Sequence, residues 1–202
     1  MALIRSNNKQ KIINGLLNAT FDDETIDRLT TLQNEIGVNH STKVIAITSI
    51  KNDDLAVAFA KAFANAYSVN NERTLIIDAN LYNPLLRHAL KDTEGDGKQG
   101  YRVTFVDGRT NADCLGKETY PSEVLKGGIV QRIIEENKDN YDHFVVLTPA
   151  IKEHKEIVLL KDVLTAIILV TQKNVTVKEH IFNAIQYCAN NGLPLAKTVI
   201  LK

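Results

Sequence analysis

The stretch from Lys43 to Pro84, KVIAITSIKNDDLAVAFAKAFANAYSVNNERTLIIDANLYNP, constrains the fold more than any other part of the chain. Val44, Ile45, Ala46 and Ile47 form a short, unbroken apolar run rich in β-branched residues, the pattern of a parallel strand covered on both faces. Phe59, Ala60, Phe63, Ala64 and Tyr67 then recur at the spacing of a helix that buries one side. Leu75, Ile76 and Ile77 make a second apolar run that ends in Asp78. A carboxylate therefore stands at the carboxyl end of a strand, on the edge where open α/β sheets bind their ligands.

A strand–loop–helix unit of this kind binds phosphate when its loop is a glycine-rich cradle, G-x-x-x-x-G-K-[ST], with inward N–H groups and a lysine. Here the loop reads Ser49, Ile50, Lys51, Asn52, Asp53 and Asp54. It has no glycine to take the positive φ values of the cradle, and it is too short to wrap a triphosphate. Asp53 and Asp54 suit a helix start, where carboxylates accept from orphan N–H groups and face the positive end of the helix dipole. They stand where a phosphate would sit and carry its sign of charge.

With 202 residues, the chain is long enough for one sizeable core. Lys plus Arg and Asp plus Glu are 24 each, so the net charge is zero, which argues against a polyanion-coating protein and gives no reason to expect nucleic acid as a partner. The two cysteines, Cys114 and Cys188, lie far apart with no Cys/His cluster, so neither a disulfide framework nor a zinc site is expected. The first ten residues, MALIRSNNKQ, lack a signal-peptide core, and no apolar run reaches membrane-spanning length. The expectation is a cytoplasmic protein that reaches the inner face of a membrane only through a partner.

Residues 1–40 read as a helical arm and 41–202 as the α/β domain. The arm looks like two short helices broken near Asn18 to Asp23. Asp22 or Asp23 caps the second, whose one-sided stripe is Ile26, Leu29, Leu32, Gln33 and Ile36. Such an arm packs on its own sheet or docks on a neighbouring subunit. Beyond Asp78, a helical turn or two is expected from Pro84 to Leu90. The loop Asp92-Thr93-Glu94-Gly95-Asp96-Gly97 starts like a calcium loop, but Val103 stands where the bidentate glutamate belongs, so a solvated loop is expected. A third strand runs from Tyr101 to Val106, followed by a polar loop carrying Cys114. A helix starts at Pro121, resumes after Gly127-Gly128 and ends near Asn137. A fourth strand is expected from Tyr141 to Leu147, a fifth from Leu164 to Val170, a helix from Val177 to Asn190 and a last strand from Ala196 to Leu201. Strands alternating with helices define an α/β fold: a doubly wound, mainly parallel sheet with helices on both faces, a three-layer sandwich of the P-loop NTPase or Rossmann-like kind.

The order KVIAITS, LIIDANLYNP, VDG with PSEVL, YDHFVVLTPA, ILVTQKNVTVKEHI and GLPLAKTVIL resembles the bacterial tyrosine kinase family of capsule and exopolysaccharide biosynthesis. That family belongs to the P-loop ATPases that include the MinD and ParA proteins. The resemblance runs from about Glu24 to the chain end, and PSEVL and YD-x-x-V-V-x-T-P point to the kinases rather than the partition proteins. It implies a nucleotide site at Lys51, Asp53, Asp54, Asp78, Asn80 and Thr148, and each of the family's three ATP motifs is incomplete there. The first ATP motif falls on Ser49 to Asp54 without its lysine-serine pair. The second, an aspartate pair followed by arginine, falls on Asp78, Asn80 and Tyr82, keeping only the first acid. The third, an aspartate before Thr-Pro-Pro, falls on Leu147-Thr148-Pro149-Ala150, and leucine cannot help hold magnesium. The oligomerisation motif begins at Glu24 but meets Asp27 and Thr30, with Arg28 one place off, and the carboxy-terminal tyrosine cluster is absent.

Phosphoryl transfer is nearly all positioning and charge neutralisation. Each missing electrostatic element typically costs ~3 kcal/mol or more in the barrier. The sequence therefore leads to a pseudokinase with no cofactor, a contact-making protein whose partner is an active kinase, a membrane activator or a second copy of itself. Asp78 is expected to cap the turn that follows its strand. The alternatives are a divergent kinase or ATPase using ATP and Mg2+ through Lys51 and Asp78, and, with less support, a MinD/ParA-like positioning protein.

Overall fold

The structure, a computed structural model, describes residues 22–37, 43–51, 53–84, 86, 101–104, 109–115 and 117–201. The first helix expected in the arm, the calcium-like loop and most of the turn from Pro84 to Leu90 lie outside these residues.

One seven-stranded sheet forms the middle layer. Its strands are β1 (Lys43–Ser49), β2 (Thr74–Asp78), β3 (Tyr101–Thr104), β4 (Thr110–Cys114), β5 (His143–Leu147), β6 (Ala166–Gln172) and β7 (Leu195–Leu201). They lie in the order β3-β4-β2-β5-β1-β6-β7. All neighbours pair in parallel except β3, which runs antiparallel to β4 at one edge. The helices are α1 (Asp23–Ile36), α2 (Asp53–Val69), α3 (Pro121–Lys126), α4 (Ile129–Asn137) and α5 (Lys178–Asn190), with a 3-10 turn at Glu156–Leu160.

The period of two along the strands divides the core between the two faces. Ile45, Ile47, Ile76, Val145, Leu147, Ile168 and Val170 face α1 and α2. Val44, Ala46, Leu75, Ile77, Phe144, Val146, Ile167 and Leu169 face the opposite layer with Leu125 of α3, Val130 of α4, Leu160 and Ala184 of α5. Alanines 56, 60 and 64 let α2 lie close on the sheet, while along its buried side Phe59 stacks on Phe63 with ring centroids 5.8 Å apart and Phe63 meets Tyr67 edge to face at 5.4 Å.

Asp22 caps α1 by accepting from the Thr25 N–H at 2.8 Å. α1 packs on α2: Leu29 is buried, and the Gln33 amide, also buried, donates to the Phe63 carbonyl at 2.7 Å. Arg28, one place off the family motif, pairs with Glu24 on the exposed side. Between α3 and α4, Gly128 takes φ 73°, a left-handed value that breaks the helix in two.

The polar segment expected as a loop around Cys114 is a strand, β4, and it forms the neighbour of β2. Its sequence, TNADC, is too polar to give an apolar run. It fits because β4 is shielded by β3 on its outer side, and only Thr110 and Ala112 of its described side chains are buried.

A crevice closed by a carboxylate

The carboxyl ends of β1, β2 and β5 meet on one edge, with Ile47 and Asp78 both in register with Leu147. The chain leaves β1 for α2 on one face, while after β5 it enters the 3-10 turn packed on the other face. This divergence opens the crevice in which doubly wound folds receive ligands.

Here the crevice is filled by the protein's own side chains. Asp53, the first residue of α2, sends its carboxylate across the gap. Its Oδ1 accepts from the Ala150 N–H at 2.9 Å and its Oδ2 from the Asn80 amide at 3.0 Å. The expected cap of its own helix is replaced by a cross-link joining the loops after β1, β2 and β5. Burial pushes the Asp53 carboxyl above its ordinary range, against the hydrogen bonds from Asn80 and Ala150.

Asn80 is itself fixed, because its Oδ1 accepts from the Asn83 N–H at 3.1 Å. Asp78 is 1% exposed and caps the following turn, accepting from the Asn80 N–H at 3.1 Å and the Leu86 N–H at 3.0 Å. Burial pushes its pKa up to about 7 despite these bonds. Thr148 lies beside them, buried, and its hydroxyl has no hydrogen-bond partner among the described residues. Asp53, Asp78, Asn80, Leu147 and Thr148 enclose a space of about 10 Å3. That is room for about one water molecule at most, and too little for a phosphate.

Four of the six residues anticipated from sequence thus converge: Asp53, Asp78, Asn80 and Thr148. Lys51 does not join them; it is exposed on the bend after β1 and lines a separate cavity at the carboxyl ends of β1 and β6. Asp54 is half-buried on the first turn of α2 and makes no hydrogen bond among the described residues.

A second clasp escaped sequence reasoning. Tyr82, in the loop after β2, donates its hydroxyl to Glu156, which also accepts from Ser122 Oγ at 3.0 Å. The Tyr82 ring stacks on His154 with centroids 3.7 Å apart. It holds the loop after β2 against the turn after β5, and its partners lie too far apart in sequence for any local pattern to mark them.

The residues present do not fit a magnesium nucleotide. Leu147 occupies the position where the resemblance expects the strand-four acid, and it adjoins Asp78 as an apolar wall. No group of three His, Cys, Asp or Glu side chains among the described residues is arranged to hold a metal ion. The ligand crevice is sealed by the carboxylate that would meet the phosphate.

The sheet order and the two-faced helical cover define an α/β protein with the fold of the P-loop ATPases. A chain of the MinC:MinD cell division protein complex of Aquifex aeolicus superposes with a TM-score of 0.59 at 17% identity over 79% of this chain and 68% of that one. Within that fold, the bacterial tyrosine kinase domains are more similar. The kinase domain of the Escherichia coli tyrosine kinase ETK matches with a TM-score of 0.75 and 15% identity over 87% of this chain and 74% of that one. The VpsO kinase domain matches with a TM-score of 0.74 and 16% identity over 100% and 97%. No protein-family model and no curated protein sequence matches the chain.

Proposed function

We propose that this chain is a non-catalytic, tyrosine-kinase-like protein that acts through contacts, as an interaction or regulatory subunit in capsular or exopolysaccharide assembly. One observation carries the reading: the Asp53 carboxylate lies in the phosphate crevice, bonded to the Ala150 N–H and the Asn80 amide. A γ-phosphate entering there would have to displace a fixed negative charge and break both bonds, with no cation in the cavity to neutralise it. The buried sheet and its helices are nonetheless complete, so the fold is kept without the chemistry it elsewhere supports. The partner is an active kinase, a membrane activator or a second copy of the chain. No helix among the described residues is long and apolar enough to cross a membrane, so a membrane contact would run through that partner.

Asp78, its pKa pushed up to about 7 by burial, favours a divergent ATPase or kinase. Both its oxygens already serve backbone N–H groups, which supports a structural role instead.

The test is incubation of the purified chain with magnesium and radiolabelled ATP, alone and with an active bacterial tyrosine kinase. The expected result is no label transfer by the chain alone, and a changed phosphotyrosine yield from the active kinase when the chain is added. Transfer by the chain alone that disappears in Asp78→Asn would overturn the reading.

A further inference from the structure

We propose that the cavity at the carboxyl ends of β1 and β6 binds a small organic anion with an apolar body, an alkyl or aryl carboxylate or monophosphate, without a metal ion. This inference goes beyond the proposed function and does not depend on it, because the cavity lies on the far side of β1 from the sealed crevice.

The cavity measures about 450 Å3, within the usual range for small-molecule sites. Its lining brings together segments distant in sequence: the loop after β1, the loop after β5, and β6 with the turn leading into α5. Lys51, Lys152 and His180 supply its ionisable groups, and no carboxylate lines it. Lys152 Nζ donates to His180 Nε2 at 2.9 Å, so the lysine is held at the wall by a partner that cancels none of its charge. A concave site with cationic groups and no acid attracts anions.

The remaining wall is apolar. Ile50 and Val170 form a buried floor, while Val175 and Val177 are 67% and 54% exposed. Apolar area left open at the rim of a cationic cavity favours a ligand that carries carbon as well as charge. Ser49 adds an independent sign. It lines the cavity and is 1% exposed, yet its hydroxyl has no hydrogen-bond partner among the described residues. Buried hydroxyls are ordinarily paired, and this one belongs to a residue of the cavity wall.

The experiment uses anilinonaphthalene sulfonate, an aromatic anion whose fluorescence rises in apolar surroundings, titrated into the full chain without metal. The prediction is a saturable single site that decanoate displaces and that the uncharged N-phenylnaphthylamine fills far less well. Lys152→Glu and Lys51→Glu, checked for native circular dichroism, each weaken binding by about tenfold or more, the effect of losing a charged contact. Lys138→Gln, on an exposed lysine paired with Glu135 elsewhere, leaves it unchanged. Equal binding of the uncharged analogue, or indifference to both lysine reversals, overturns the proposal. Magnesium-dependent ATP binding would count against the pseudokinase reading and leaves this result standing.

Discussion

Replacing Asp53 by alanine tests the cross-link that closes the crevice. The substitution removes two hydrogen bonds to a carboxylate and leaves the N–H of Ala150, a residue 1% exposed, and the Asn80 amide without their acceptor. Hydrogen bonds to charged groups contribute about 1.5–3 kcal/mol each, and the relief of burying a carboxylate offsets part of that, so the net loss is about 2 kcal/mol. At a urea m-value of about 2–3 kcal/mol/M, the unfolding midpoint falls by about 1 M with no change of slope. The raised pKa fixes the sign of the pH dependence. A carboxyl held above its ordinary 3.8 contributes stability that is fully present below that value and is lost as pH rises through the folded-state pKa. Asp53→Ala therefore costs more near pH 3.8 than in alkaline buffer. Asp54→Ala, one residue along, shifts stability by less than about 0.5 kcal/mol. Equal midpoints for wild type and Asp53→Ala, or a cost that grows with pH, would refute the reasoning.

Asp78 imposes a larger pH dependence of the same sign. With its folded pKa raised from 3.8 to about 7, stability declines across that interval, and Asp78→Asn flattens the decline; parallel urea curves for the two proteins across the interval would contradict this. Restoring the family acid by Leu147→Asp buries a second carboxylate beside Asp78, and thermal unfolding should show a loss of about 3 kcal/mol or more with no gain of ATP binding. In the arm, Leu29→Ala costs about 2–4 kcal/mol and Gln33→Ala about 1–2 kcal/mol in urea, because both side chains are buried against the domain. If α1 were instead free of the domain, neither change would move the midpoint.

The fold was legible where burial is total. β1, α2 and β2 could be read from the sequence because strands covered on both faces must be apolar throughout, and because α2 buries aromatic and alanine residues at helical spacing. β4 was not, since a strand next to a short antiparallel edge needs only Thr110 and Ala112 inward, and TNADC then reads as loop. Within the site, sequence order placed Asp53, Asp78, Asn80 and Thr148 at strand ends. It could not show that Asp53 points across the crevice instead of back onto its own helix, because that depends on Ala150, 97 residues away. The clasp of Tyr82, Ser122 and Glu156 and the cavity shared by Lys51, Lys152 and His180 are likewise products of topology, assembled from loops that carry no local motif.

Calorimetric titration of the purified chain with ATP in the presence of magnesium reads directly whether the crevice is sealed. No saturable heat is expected at micromolar protein, since the phosphate position is held by the Asp53 carboxylate. A saturable signal that requires magnesium would contradict it, because it would mean that the carboxylate yields its place to a nucleotide.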